Sequence, residues 1–115
     1  SLIAAGNYVR LVIRNQGDAP VAQDFWVDVY IDPDTPPERV NQTWPLLGSQ
    51  GLVWGVLAQD RPLAPGATLE LEVNGAYYDA ARSSVSWPLA AGVPVYAQVE
   101  YDAANAVERV KALMA

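Results

Sequence analysis

Three carboxylates lie close together in a proline-rich stretch, where they could bind a divalent cation. Asp32, Asp34 and Glu38 fall within Asp-Pro-Asp-Thr-Pro-Pro-Glu, and calcium prefers several oxygen ligands at close quarters. The prolines stiffen this loop, and the spacing of the carboxylates differs from that of an EF-hand. Two interpretations stay open: a calcium site formed by these side chains, and a solvated turn whose aspartates cap strand ends. We favour the solvated turn.

Four aromatic residues fall on strand faces opposite the most regular apolar positions: Trp26, Tyr30, Tyr8 and Tyr96. If they are exposed together, their rings would form a platform on which sugar rings could stack, with polar groups at the rim. The alternative, which we favour, is that these aromatic side chains pack against a long insert. Trp26 would then belong to a satellite core whose other members come from Trp44, Trp54 and Trp87.

Few residue types in this chain suit catalysis. The chain has no cysteine and no histidine, which excludes thiolate chemistry, disulfides, histidine-containing nucleophilic triads and the usual zinc sites. Glu70 and Glu72 share one face of a strand, as do Glu100 and Asp102, and glycosidases use two nearby carboxylates. Such pairs usually mark a solvent-exposed face. We therefore predict no enzyme activity, no catalytic residues and no cofactor apart from the calcium alternative.

The charge of the chain argues against binding to nucleic acid. Seven basic and thirteen acidic residues give a formal net charge of −6, whereas phosphate binding needs clustered lysine and arginine. Arg10 and Arg14 form a close basic pair, which we interpret as part of a solvated strand face. No apolar run approaches the roughly 20 residues that span a bilayer, so we predict no membrane insertion.

Alternation of apolar and polar residues predicts the strands that position these side chains. The alternating segments run from Tyr8 to Asn15, Asp24 to Asp32, Thr68 to Val73 and Val93 to Asp102. A period of two residues indicates a strand with one dry face and one wet face, which favours antiparallel sheets. A chain of 115 residues is long enough for one domain with its own core.

The remaining segments complete an all-β pattern. We predict short strands around Gln50 to Val56, a long loop anchored by Trp44, and a helical turn at Asp79 to Arg82. A tight turn at Asp102 to Asn105 leads into a last strand at Val107 to Lys111. Several short strands separated by turns predict an immunoglobulin-like antiparallel β-sandwich of about seven strands.

The order of several motifs resembles the CARDB family, the cell-adhesion-related domains of bacteria. The resemblance extends from about Gly6 to Arg109 and rests on three segments: VRLVIRNQGDAPVAQDFWVDVYID, LAPGATLELEV and GVPVYAQVEYDAANAVER. The corresponding residues are Asn15 and Gly17; Phe25, Val27, Val29 and Tyr30; Pro65 and Gly66; and Asp102, Asn105, Val107 and Glu108. On physical grounds Gly17 permits a positive φ in a turn, and Pro65-Gly66 suits a type II turn.

The resemblance implies a role as well as a fold. Residues 1–115 would be a single CARDB-like domain of a larger bacterial protein, located outside the cell or at its surface. The implied function is a non-catalytic adhesion, interaction or spacer module, whose partners are other protein domains or cell-surface glycans. The alternative function is a carbohydrate-binding module that uses the aromatic strand face.

The N-terminus departs from the family pattern. Family members usually begin with one more strand, whereas only Ser1 to Ala5 precede Gly6. Either this strand has been trimmed or Ser1 to Ala5 supplies a shortened edge strand. An uncovered edge invites pairing with a second chain, so we predict a homodimer through a terminal edge strand.

Overall fold

The computed structural model describes residues 1–39 and 42–101, which form an all-β sandwich. Its six strands are β1 (Leu2–Ala5), β2 (Tyr8–Arg14), β3 (Phe25–Ile31), β4 (Gln50–Val56), β5 (Thr68–Glu72) and β6 (Val95–Tyr101). The strand orders of the two sheets are β1-β2-β5 and β4-β3-β6, and all neighbouring strands are antiparallel. The predicted fold class is confirmed, with six described strands instead of about seven. The turn predicted at Asp102 to Asn105 and the strand predicted at Val107 to Lys111 lie outside the described residues.

The core lies between the two sheets and contains the apolar positions that the alternation predicts. The first sheet contributes Val9, Leu11, Ile13 and Leu71, and the second contributes Phe25, Val27, Val29, Ile31, Leu52, Trp54, Val56 and Val99. Fully burying one large apolar side chain stabilises a fold by roughly 1.5–3 kcal/mol. The buried indole Nε1 of Trp54 also donates a hydrogen bond of 2.9 Å to the backbone carbonyl of Glu72. This bond links β4 of one sheet to β5 of the other.

Residues Leu2 to Ala5 form the edge of the first sheet. β1 pairs with β2 from Leu2 opposite Leu11 to Ala5 opposite Tyr8. Gly6 begins the connecting two-residue loop with a φ of +57°, a conformation that glycine adopts without steric cost. Leu2–Ala5 is therefore an edge strand of this sheet.

Asn15 fixes the loop that connects β2 to β3. Its buried side chain donates through Nδ2 to the carbonyls of Ala19 and Leu63, at 2.8 and 2.9 Å. Its Oδ1 accepts a hydrogen bond of 2.9 Å from the amide of Gly17. Gly17 does not use the positive φ that glycine permits, because it is not among the residues in the left-handed region. The Asn-x-Gly motif closes this loop through the asparagine side chain instead.

The Pro65-Gly66 turn has the predicted form. The amide of Ala67 donates to the carbonyl of Ala64 at 2.9 Å, and Gly66 has a φ of +76°. Glycine at the third position of a proline-containing turn with positive φ is the signature of type II. This turn brings the chain into β5.

A short 3₁₀ helix at Ala80–Arg82 confirms the helical turn predicted there, and a second one is formed by Trp44–Leu46. Segment 77–84 runs along the free edge of β4. The amide of Gly55 donates to the carbonyl of Tyr77, and the amide of Asp79 donates to the carbonyl of Val53, at 2.9 and 2.8 Å. This segment therefore satisfies part of an edge that would otherwise be open.

Candidate functional site

The outer face of β3 is covered around Asp28 and Tyr30; alternation alone predicts a wet face there, whereas the favoured interpretation packed its aromatic residues under an insert. Tyr30 is 0% exposed and Asp28 is 2% exposed, although both point away from the core between the sheets. The residues that cover them belong to the chain between β3 and β4. We call residues 33–39 and 42–49 the covering segment. The alternation identified the core face correctly but did not reveal that a second layer lies on the other face.

Polar contacts attach the covering segment to the sheet. The Tyr30 hydroxyl donates to the carbonyl of Gln42 at 2.5 Å, and an Asp28 carboxylate oxygen accepts from the amide of Trp44 at 3.0 Å. On β6, the side-chain amide of Gln98 donates to the carbonyl of Arg39 at 3.0 Å. Buried polar groups are costly unless they are hydrogen-bonded, so these contacts explain how a tyrosine and an aspartate can lie under the segment.

The Trp44 ring lies directly against the backbone of β4. A Cβ atom at Gly51 would overlap the Trp44 ring, so this approach requires glycine. The Trp44 indole Nε1 donates to the carbonyl of Arg82 at 2.9 Å. Trp44 therefore anchors the loop as predicted, and it joins the covering segment to the 3₁₀ helix at Ala80–Arg82.

The structure separates the four aromatic residues proposed as a sugar platform. Tyr8 lies on β2 and is 42% exposed, on the outer face of the other sheet. Tyr30 is buried, whereas Trp26 and Tyr96 are half-buried on β3 and β6. These four side chains do not share one accessible face. The predicted packing of aromatic residues under an insert holds for Tyr30.

The three tryptophans assigned to the satellite core have different positions. Trp44 belongs to the covering segment, but Trp54 is fully buried in the core between the sheets. Trp87 is 38% exposed and lies outside the strands. Only Trp44 therefore contributes to the second layer in the way that was expected.

The carboxylates proposed for calcium are exposed. Asp32 has a φ of +48° just after β3, and the amide of Asp34 donates to the carbonyl of Leu47 at 2.7 Å. Glu38 is also exposed, and its amide donates to the side-chain oxygen of Gln42 at 2.7 Å. Residues 1–39 and 42–101 contain no group of three or more acidic, histidine or cysteine side chains arranged to hold a metal. The calcium site stays a prediction, which titration calorimetry with calcium tests.

A groove of about 570 Å³ opens beside Trp26 at the edge of the second sheet. Its lining includes the aromatic side chains of Trp26, Tyr77 and Tyr78, and the carboxylates of Asp24 and Asp79. Small-molecule sites in proteins combine an apolar, aromatic lining with a few polar groups, and their volumes are about 300–1,000 Å³. The volume of this groove and its aromatic and carboxylate lining fall within that description.

Trp26 is the one residue of the expected platform that lines this groove. A Cβ atom at Gly55 would come within 2.8 Å of Cζ3 of Trp26, so the ring lies close to β4. The Arg82 guanidinium carbon is 4.8 Å from the centroid of the Trp26 ring, at cation–π distance. Arg82 also pairs with Asp79, with 2.7 Å between Nη1 and Oδ2. The groove thus has an aromatic surface with a charged pair beside it.

Sequence reasoning missed Tyr77, Tyr78 and Asp79 as groove residues. They follow β5 in a stretch without periodicity, and hydrogen bonds to β4 hold the segment beside Trp26. Gly55 was the available signal, because a glycine inside a strand often marks a close approach of another group.

Within residues 1–39 and 42–101, no helix has the length and apolar character needed to cross a membrane. No protein-family model matches the chain. No curated protein and no solved structure shows significant similarity to it. The resemblance to the CARDB family therefore stays a prediction that rests on the residues of this sequence.

Proposed function

We propose that this chain is a non-catalytic interaction and spacer module of a larger bacterial protein, exported to the cell surface or secreted. Such a module acts by presentation: a rigid body holds its loops, or neighbouring domains, in fixed positions. Binding residues are commonly carried on loops that a stable scaffold positions. Its partners in this proposal are other protein domains or glycans at the cell surface.

The covering segment is the observation that supports this proposal best. A chain of this length between two strands would have many conformations if it were unattached, and ordering each residue costs about 1–2 kcal/mol. Here Tyr30, Asp28 and Gln98 hold it by hydrogen bonds, and Trp44 packs onto Gly51. The long connection is thereby part of a three-layered body, as a presenting scaffold requires.

Cell fractionation with an antibody against this chain tests the proposal. We expect the antibody to detect a protein larger than 12.4 kDa in the cell-surface or secreted fraction of the source organism. A product of the size of the isolated chain, found in the cytoplasmic fraction, would overturn the proposal. The same blot tests the predicted location and the predicted multidomain parent protein.

A homodimer through the edge of the first sheet is a further part of the proposal. β1 is an edge strand with four residues, and the Ser1 carbonyl extends its ladder by accepting from the Val12 amide at 2.8 Å. Pairing of two such edges would add backbone hydrogen bonds without rearranging the core. Sedimentation velocity should show a dimer as concentration rises, and a monomer at every concentration would contradict this pairing.

A further inference from the structure

The edge strand β1 lacks the features that usually keep the edge of a sheet from pairing. Edge strands are commonly blocked by charged side chains, proline or a bulge, whereas β1 reads Leu-Ile-Ala-Ala and pairs with β2 in continuous register. The other edge of the same sheet, β5, carries Glu70 and Glu72. On β1, Ile3 is 50% exposed on the outer face, opposite Arg10. An apolar edge of this kind is typical of a side that meets another chain.

The hydrogen bonds between β1 and β2 decide which backbone groups point to the open edge. Ser1 and Val12 exchange both of their main-chain hydrogen bonds, at 2.8 and 2.9 Å. In an antiparallel ladder such pairs alternate with pairs that exchange none, so the N–H and C=O groups of Leu2 and Ala4 point away from β2. Within the described residues, no strand pairs with β1 on that side. Leu2 and Ala4 therefore offer both of their donors and both of their acceptors to a strand added there.

One symmetric register with a second copy of β1 uses all of these groups. When Ile3 lies opposite Ile3 of the second copy, Leu2 of each strand pairs with Ala4 of the other. A shift by two residues in either direction pairs only one of these residues with its own copy, which halves the hydrogen bonds among them. The favoured register also places the two isoleucine side chains next to each other on the outer face, because Cα atoms in such a central pair are about 4.5 Å apart.

An apolar pocket of about 330 Å³ lies beside the end of β1. Its walls are residues 4–6 and residues 89–93 with Val95, which begins β6 of the second sheet. The amide of Leu89 donates to the carbonyl of Gly6 at 2.7 Å and connects the two walls. Because one wall leads into the second sheet, the pocket lies on the inner side of β1. A side chain on the inner face of an added strand, next to Ala4, would lie over it.

We propose that this pocket receives Leu2 of a second copy of the chain, in a symmetric dimer with Ile3 opposite Ile3. Leu2 is half-buried against its own core, so part of its side chain is free to cover the pocket of the other copy. Each copy supplies one leucine and one pocket, as two-fold symmetry requires. Two strands of four residues cover less area than stable interfaces of about 1,200–2,000 Å², so the dimer is reversible. This inference rests on the edge pairing proposed above and adds its register and its pocket.

Single cysteine variants test the register, because the chain has no cysteine of its own. Ile3→Cys should form a disulfide-linked dimer under mild oxidation, since Cα atoms about 4.5 Å apart are within the range that disulfides bridge. Ala5→Cys is the matched control, because Ala5 is exposed on the same face of the same strand. In this register it lies about 13 Å from its copy along the strand, so it should stay unlinked. Equal crosslinking of the two variants would overturn the register.

Sedimentation velocity of Leu2→Ala tests the pocket. The loss of two leucine contacts per dimer should weaken dimerisation by at least about tenfold. Leu46→Ala, at a residue that is 70% exposed on the covering segment, should leave the Kd of the dimer unchanged.

An unchanged Kd for a folded Leu2→Ala variant would show that something other than Leu2 fills the pocket, and it would overturn the inference. If this variant does not fold, crosslinking of Ile3→Cys still decides the question. A monomer at every concentration would overturn the edge pairing itself. A dimer in which Ile3→Cys does not crosslink would overturn only the register and the pocket.

Discussion

The contact between Trp44 and Gly51 can be tested by a substitution whose effect should change sign with the background. Gly51→Ala places a methyl group where the Trp44 ring now lies. Overpacking of this kind costs about 1–3 kcal/mol of unfolding free energy. If the ring is displaced, its hydrogen bond to the carbonyl of Arg82 is weakened, and so is the bond from the Trp44 backbone amide to Asp28, at about 1 kcal/mol each. We expect Gly51→Ala to destabilise the chain by about 2–4 kcal/mol.

Removing the ring should remove this cost. In a Trp44→Ala background the methyl group at position 51 meets no indole, and the φ of Gly51 is not in the left-handed region. Replacing glycine by alanine at a compatible position stabilises a protein by about 0.4–1 kcal/mol, because the unfolded chain loses freedom. Gly51→Ala should therefore be neutral or stabilising in this background.

Urea unfolding of the four proteins of this double-mutant cycle measures the coupling directly. The expected coupling energy between positions 44 and 51 is about 3 kcal/mol, well above the typical additivity error of about 0.5 kcal/mol. Thermal unfolding should agree, at roughly 4 °C per kcal/mol for a domain of this size. If Gly51→Ala has the same cost in both backgrounds, Trp44 does not pack on Gly51 and the reasoning is refuted.

Three further substitutions test other buried contacts. Tyr30→Phe removes a hydroxyl donor under the covering segment, so it should lower the free energy of unfolding, measured with urea, by about 1–2 kcal/mol. Tyr8→Phe on the exposed face should change it by no more than about 0.5 kcal/mol. Equal effects would contradict the burial of Tyr30. Trp54→Phe should cost about 2–4 kcal/mol because a core volume and an inter-sheet hydrogen bond are lost. The matched Trp87→Phe should have little effect on the midpoint, and a similar loss at both positions would argue against the core assignment. Asn15→Ala removes three hydrogen bonds, so it should lower the free energy of unfolding by about 2–4 kcal/mol and lower the thermal midpoint with it. An unchanged midpoint would show that the loop closes without the Asn15 side chain.

The sequence pattern was sufficient for the core and for the strands that build it. Alternation along β2 and β3 can be recognised from neighbouring residues of a single strand, and burial of the apolar positions decides which face turns inward. The observed strands begin and end within two residues of the predicted ones, because turn-forming residues such as Asn15 and Pro33 lie next to them. The Pro65-Gly66 turn was predictable for the same reason, since its conformation depends on two adjacent residues.

Alternation alone did not predict the second layer; the tryptophan-bearing insert favoured it, but the sequence did not identify the contacts that hold it. Asp28 and Tyr30 have the polar pattern of a wet face, and nothing nearby in the sequence indicates that Trp44 and Gln42 supply their partners. Polar residues can be buried when backbone groups that are distant in the sequence form hydrogen bonds with them, and an alternating pattern does not reveal such partners. Gly51 of β4 was the signal, because it admits the ring of Trp44 against the strand.

The groove, too, could be predicted only in part from the sequence. The sequence identified Trp26 as a candidate for contact with sugars but grouped it with Tyr8, which lies on the opposite side of the sandwich. The residues that share the groove with Trp26 follow β5, far along the chain. Their position depends on pairing with the edge of β4, a tertiary contact that local periodicity does not encode.

Proton NMR gives the most direct test of the covered outer face of β3 and β4. A ring that lies against a glycine shifts the α protons of that glycine upfield and gives nuclear Overhauser contacts to them. We predict such contacts from the Trp44 indole protons to the α protons of Gly51, with an upfield shift that Trp44→Ala abolishes. The absence of these contacts, with ordinary Gly51 α-proton shifts in the folded chain, would contradict a covering segment packed on the sheet.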